Sequence, residues 1–190
     1  MRSILRAVVL AAAVLAPATS AVRAAETYDV DKSHSSILFR VKHLGVSYAY
    51  GRFNDFSGTV VVDADAAKCS VEIVAKTESV DTADAKRDQH LKSPDFFNVK
   101  QFPALSFKST KVAISGEKYE VTGDLTMKGV TKPLTVVLDR VGSGKDPWGG
   151  YRTGFEGTFT VKRSDFGMNF MPDGIGDEVK ILISIEGIRK

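Results

Sequence analysis

The feature that most restricts what this chain can become is a two-residue alternation of apolar and polar side chains, which recurs from Ser35 almost to the end. Between Ser35 and His43, Ile37, Phe39 and Val41 fall on one side, and Leu38, Arg40 and Lys42 on the other. Successive side chains of a strand point to opposite faces, so this pattern gives a strand with one buried face. Phe56, Gly58, Val60 and Val62 repeat it, as do Val71, Ile73 and Ala75. Residues 105–114 and 119–127 form a pair around the turn Ser115-Gly116-Glu117, with Tyr119, Val121, Leu125 and Met127 on one face. Lys128 to Pro133 turn the chain into residues 134–141, and a glycine-rich loop, 142–150, carries Pro147 and Trp148. Phe155, Gly157 and Phe159 mark the next strand, and Val179, Ile181, Ile183 and Ile185 the last. About eight strands joined by short connections predict antiparallel neighbours. A sandwich and a closed barrel both satisfy this; closure removes sheet edges and leaves room for side chains or one small ligand. Glycines inside the runs, Gly58, Gly123, Gly154 and Gly157, suit bends or close approach.

One stretch breaks the pattern. Residues 82–91 hold helix formers (Ala83, Ala85, Lys86, Arg87, Gln89), with Asp81 or Thr82 placed to cap the start. Ser93-Pro94 is a second start signal. Phe96, Phe97 and Phe102-Pro103 follow. This predicts a helical insert, charged at its front and apolar at its back, over something hollow.

The first 24 residues do not belong to the fold. Arg2 and Arg6 precede an apolar run from Ala7 to Ala16, ten residues where a membrane span needs about 20. Pro17 and small residues follow, and cleavage after Ala24 fits, with Ala21 as the alternative. This predicts a signal peptide over 1–24, a single domain over 25–190, and an exported, periplasmic protein. The leader holds three arginines and no acid, so 26 basic residues less 3 leaves 23 against 23 acidic ones. A net charge of zero with no basic run gives no basis for nucleic-acid binding. Cys69 is the one cysteine, so no internal disulfide is available and the core must hold the fold.

The polar residues give no positive sign of catalysis. His34, His43 and His90 lack metal-site spacing, and His34 and His43, nine apart, would face opposite ways on one regular strand. Gly-x-Ser-x-Gly and phosphate-cradling glycine loops are absent. Neither metal, cofactor nor catalytic residue is predicted.

Four motifs carry a family resemblance. Asp31-x-x-His34-Ser35 leads into Phe39-x-Val41-x-His43 and then Gly51-x-Phe53-x-x-Phe56-x-Gly58. Arg87-Asp88-x-His90-Leu91-x-Ser93-x-Asp95-Phe96-Phe97 precedes Phe102-Pro103. Gly123-Asp124-Leu125-Thr126-x-Lys128-Gly129-Val130-Thr131-Lys132-Pro133 and Arg163-x-Asp165-Phe166-Gly167 complete the set. In this order, over about residues 26–189, they resemble the YceI-like family. The resemblance implies an all-β, eight-stranded antiparallel lipocalin-like barrel with a short helical insert. It also implies a periplasmic binding protein for a long-chain isoprenoid, such as a quinone-type or polyprenyl lipid, or a similar amphiphile. With the strand faces, it places the tail on Ile37, Phe39, Val41, Val60, Ile73, Phe107, Val121, Leu125, Phe155, Phe159 and Ile183, with Phe96 and Phe97 at a mouth. His43, Arg87, Asp88 and His90 are the candidates for the polar head. Transient membrane contact and a homodimer are further partner classes. The competing functions are an enzyme acting on a lipid head group and a stress-related structural or interaction protein with a filled core.

Overall fold

The structure, a computed structural model, describes residues 24–190; the predicted leader, 1–24, lies almost wholly outside them. The strands are β1 (Glu26–Val30), β2 (Ser36–His43), β3 (Ser47–Phe53), β4 (Phe56–Val62), β5 (Ser70–Lys76), β6 (Val80–Asp81), β7 (Ala104–Ser115), β8 (Lys118–Met127), β9 (Val130–Lys145), β10 (Tyr151–Lys162) and β11 (Ile175–Arg189). A single helix, α1 (Ala85–Leu91), stands between β6 and β7. Every pairing is antiparallel. The order β1-β4-β5-β7-β8-β9-β10-β11 returns to β1, so eight strands close a barrel.

The other three strands continue this wall past sharp corners. β11 pairs with β1 at Tyr28↔Arg189 and with β2 at Ile37↔Ile183, so β1 and β2 run along it as one bent strand. β3 lies on β2, and β6 lies on β3. The wall bends where glycines let backbones approach. A Cβ on Gly58 would lie 2.3 Å from the Glu72 carbonyl oxygen, and one on Gly123 2.4 Å from that of Lys108. No other residue fits either place without shifting the neighbouring strand.

The sequence expectations hold on most strands and fail at four places. The turn between β8 and β9 is only Lys128-Gly129, both with positive φ, as a two-residue hairpin requires. Val130 to Pro133 are therefore already strand, and Pro133 pairs with Asp124. Residues 142–145 of the expected glycine loop also belong to β9 and pair with β10. The helix is capped by Asp84, whose side chain accepts from the Arg87 N–H, and not by Asp81 or Thr82. Those two residues finish β6 and the link after it. Ser93-Pro94 starts no helix. Phe96 N–H donates to Ser93 O and Phe97 N–H to Leu91 O, a tight turn that carries Phe96 and Phe97 into the core.

The insert fills the interval between β6 and the β8–β9 turn, and it is bolted at both ends. Asp88 Oδ1 accepts from the Thr82 N–H at 2.8 Å and its hydroxyl at 2.5 Å. The Lys128 ammonium donates to Pro94 O and Gly167 O at 2.9 and 3.0 Å. Burial pushes the Lys128 pKa down. The insert is thus a fixed part of the wall rather than a loose flap. Among the described residues no helix is long and apolar enough to cross a membrane.

Candidate functional site: an apolar cavity with one polar end

The inward side chains form two packed groups. One holds Phe53, Phe56, Phe96, Phe97, Phe166 and Met168, near the insert. The other holds Tyr28, Val60, Val121, Val136, Leu138, Phe155 and Ile185. Phe107, Leu134 and Ile183 touch both and are only half-buried, because space remains between the groups. That space is a cavity of about 620 Å³. A volume of this size, lined mainly by hydrophobic side chains, belongs to the range that holds small apolar ligands.

All thirteen apolar residues proposed from the strand faces and the insert line it: Ile37, Phe39, Val41, Val60, Ile73, Phe96, Phe97, Phe107, Val121, Leu125, Phe155, Phe159 and Ile183. The alternation makes this legible, since inward residues of a closed barrel share one interior. His43, Arg87 and His90 also line it, toward the end where β2, α1 and the segment after β10 meet. Asp88 does not. Both hydrogen bonds to its Oδ1 come from Thr82, so it fixes the helix to the wall.

The ionisable lining residues Asp84, Lys86, Arg87, His90 and Arg163 gather at this same end. Arg87 donates from Nε to Thr82 Oγ1 and from Nη2 to Thr82 O, both at 2.7 Å. His90 Nε2 lies 2.9 Å from Asp95 Oδ2, and its ring packs edge-on against Phe96 and Phe170 at 5.1 and 4.8 Å. Arg163 was not among the sequence candidates. It is 5% exposed, and its guanidinium donates to Gly176 O, Met168 O and Ile175 O at 3.0, 2.6 and 2.8 Å. Burial pulls its pKa below the usual arginine value, opposed by the nearby Asp177 carboxylate, while three backbone carbonyls take its hydrogen bonds. The signals for it were its place at the end of an alternating run and at the head of the Arg163-x-Asp165-Phe166-Gly167 motif.

A second polar cluster lies outside the cavity. Arg152 Nη1 donates to Asp31 Oδ2 at 2.7 Å and to Glu186, while its Nε donates to Asp146 at 2.9 Å. Hydrogen bonds from Ser33, then His34 and Arg152, hold the Asp31 carboxyl far below its usual range. The ligand atoms of Asp31, His34 and Glu186 lie close enough together for a metal ion. The Arg152 guanidinium already bridges the two carboxylates there. Ser33 and His34 do not form a catalytic triad with Asp31. Ser33 Oγ and Asp31 Oδ2 both reach His34 Nδ1, at 3.0 and 2.7 Å, whereas a triad needs the nucleophile and the acid on different ring nitrogens.

A UPF0312 protein of Pseudomonas aeruginosa is 47% identical over 169 residues, covering 87% of this chain and 88% of that protein. A UPF0312 protein of Photorhabdus laumondii is 47% identical over 184 residues, covering 95% and 94%. Burkholderia cenocepacia BcnA superposes with a TM-score of 0.76 at 29% identity, over 83% of this chain and 98% of that one. The Campylobacter jejuni YCEI protein gives 0.69 at 31%, over 78% and 90%. A polyisoprenoid-binding domain from Saccharophagus degradans shares the fold, with a TM-score of 0.66 at 14% identity over 86% and 98%. The YceI-like domain profile matches residues 28–187, and this chain belongs to the YceI-like family.

Proposed function

We propose that the protein is an exported carrier, acting in the periplasm, that holds a long-chain isoprenoid or similar amphiphilic lipid with its tail in the barrel and its head at the polar end. One observation carries the reading: an apolar cavity of about 620 Å³ whose charged lining residues gather at a single end. The polyisoprenoid binding named for the Saccharophagus degradans domain agrees with it in ligand class.

Energetics suit a carrier rather than a trap. Each buried CH₂ gains about 0.8 kcal/mol against water, so a tail of about forty carbons would sum to roughly 30 kcal/mol. Non-covalent affinities stop near about 18–21 kcal/mol. The sum is never realised, because such a lipid starts in a bilayer, and passage from bilayer to apolar barrel changes little. Release is then set by fit and by the head group. Arg163, Arg87 and His90 supply donors to a carbonyl, hydroxyl or anionic head. Native mass spectrometry and lipid extraction of protein purified from its own periplasm test this. A stoichiometric amphiphile is expected; an empty protein that also fails to bind a labelled polyprenol would end the carrier reading.

A further inference from the structure

The polar end of the cavity is bordered by three segments that touch one another: the β2–β3 hairpin tip, α1, and residues 167–174. The Leu44 N–H donates to Gly174 O at 2.7 Å, and Phe170 packs on His90. This rim is unusually apolar on its outside. Val46 is 83% exposed and Leu44 54%, and Tyr50, Phe170 and Met171 are exposed too. Leu44 and Met171 both hold left-handed backbone, with φ of 49° and 48°. Turns needing that conformation ordinarily use glycine or asparagine, and large apolar residues there are strained. Met171 also lines the cavity, whereas Leu44, with Val46 beside it on the hairpin tip, is held outward.

Cations flank them. Lys42 lies on the hairpin and Lys86 on α1, both exposed and with no ion pair among the described residues, and Arg40 stacks on Tyr48 at 4.3 Å. Several acids near the rim are occupied: Asp84 caps α1, Asp95 holds His90 and Asp177 holds Ser164, while Asp173 has no hydrogen bond among the described residues. Aliphatic tips, tyrosines and free lysines are the composition of an interfacial anchor.

We propose that this rim seats on a bilayer carrying anionic head groups, with Leu44 and Val46 entering the acyl boundary and Lys42 and Lys86 meeting phosphates. The proposal rests on the carrier reading, since docking of the cavity mouth spares a lipid tail the passage through water. A second copy on the same surface would instead cover the mouth.

The experiment is flotation of the purified protein with vesicles of phosphatidylethanolamine and phosphatidylglycerol, set against phosphatidylcholine alone. Binding to the anionic vesicles, weakened by salt, is expected. Leu44→Asp with Val46→Asp should lower it about tenfold or more, the loss of one buried aliphatic contact at the least. Neither residue lines the cavity, and aspartate tolerates left-handed backbone, so binding of 1-anilinonaphthalene-8-sulfonate should be unchanged. Equal flotation of wild type and variant overturns the proposal, as does a dye-binding protein that ignores all vesicles. A doubled mass in solution that the substitutions abolish also overturns it, in favour of a second copy. Flotation by a protein that binds neither dye nor lipid would leave the docking and sink the carrier.

Discussion

Ile183 distinguishes a hollow barrel from a filled one. It sits mid-way along β11, opposite Ile37 and Gly157, and packs against both apolar groups while only half-buried. In a filled core, Ile→Ala costs about 2–5 kcal/mol, part of it for the new void, and enlargement costs about 1–3 kcal/mol through strain. Here a void of about 620 Å³ is already beside the side chain. The three carbons removed bound the loss at about 2.4 kcal/mol. Because part of their surface faces the void in the native protein, Ile183→Ala should cost about 1–1.5 kcal/mol. Ile183→Phe places its ring in the void without displacing a neighbour, so its change should lie within about 1 kcal/mol of zero, on the favourable side. Delipidated protein must be used, because bound ligand adds its own stability. Urea unfolding followed by far-UV circular dichroism gives the free energies. Heating gives a check, at about 2–4 °C per kcal/mol for a chain of this size. Ile183→Phe should also reduce the amount of lipid bound. A loss of about 2 kcal/mol or more for Phe, or about 3 or more for Ala, would show a packed interior and refute the reasoning.

Three further outcomes follow from named contacts. Arg163→Met strands three carbonyls at about 1–3 kcal/mol each, so a loss of about 3 kcal/mol or more is expected in urea unfolding, with faster amide exchange over 168–176. Asp88→Ala removes the pin to Thr82; amides of α1 should exchange faster and global stability fall by about 1–3 kcal/mol, with affinity for lipid unchanged. Acid should act through Asp31. Its native pKa is lowered, so its contribution is full above the unfolded value of about 3.9 and is lost as pH falls below it. A stability–pH profile for Asp31→Asn should therefore be flatter than wild type below about pH 4, and an unchanged acid limb would contradict this.

The barrel interior was readable in the sequence because alternation survives closure: a residue that faces inward on a strand faces the same cavity as its counterparts across the ring. Short-range chemistry misled where long-range pairing overrode it. Residues 142–145 look like loop but pair with β10, and Pro133 sits within β9 where β10 no longer pairs with it, an edge position that proline tolerates. Ser93-Pro94 signals a helix, yet burial of Phe96 and Phe97 draws the chain into a turn. At the site, His43, Arg87 and His90 reach the cavity, whereas Asp88 bonds back to Thr82 in the link before its helix. Arg163 was hidden because its partners are three backbone carbonyls, which no side-chain pattern encodes.

Ring closure has a kinetic consequence. The pairing that seals the barrel joins Tyr28 to Arg189, 161 positions apart. Loop-closure entropy makes such contacts slow to form, so this seam is expected to zip after the local hairpins, as in other topologically distant β proteins. Until β11 docks, the chain has two open sheet edges, an exposed apolar interior and no enclosed space. The closing seam is therefore what turns a sheet into a container, and anything that delays it prolongs the interval in which the chain needs protection from its own kind.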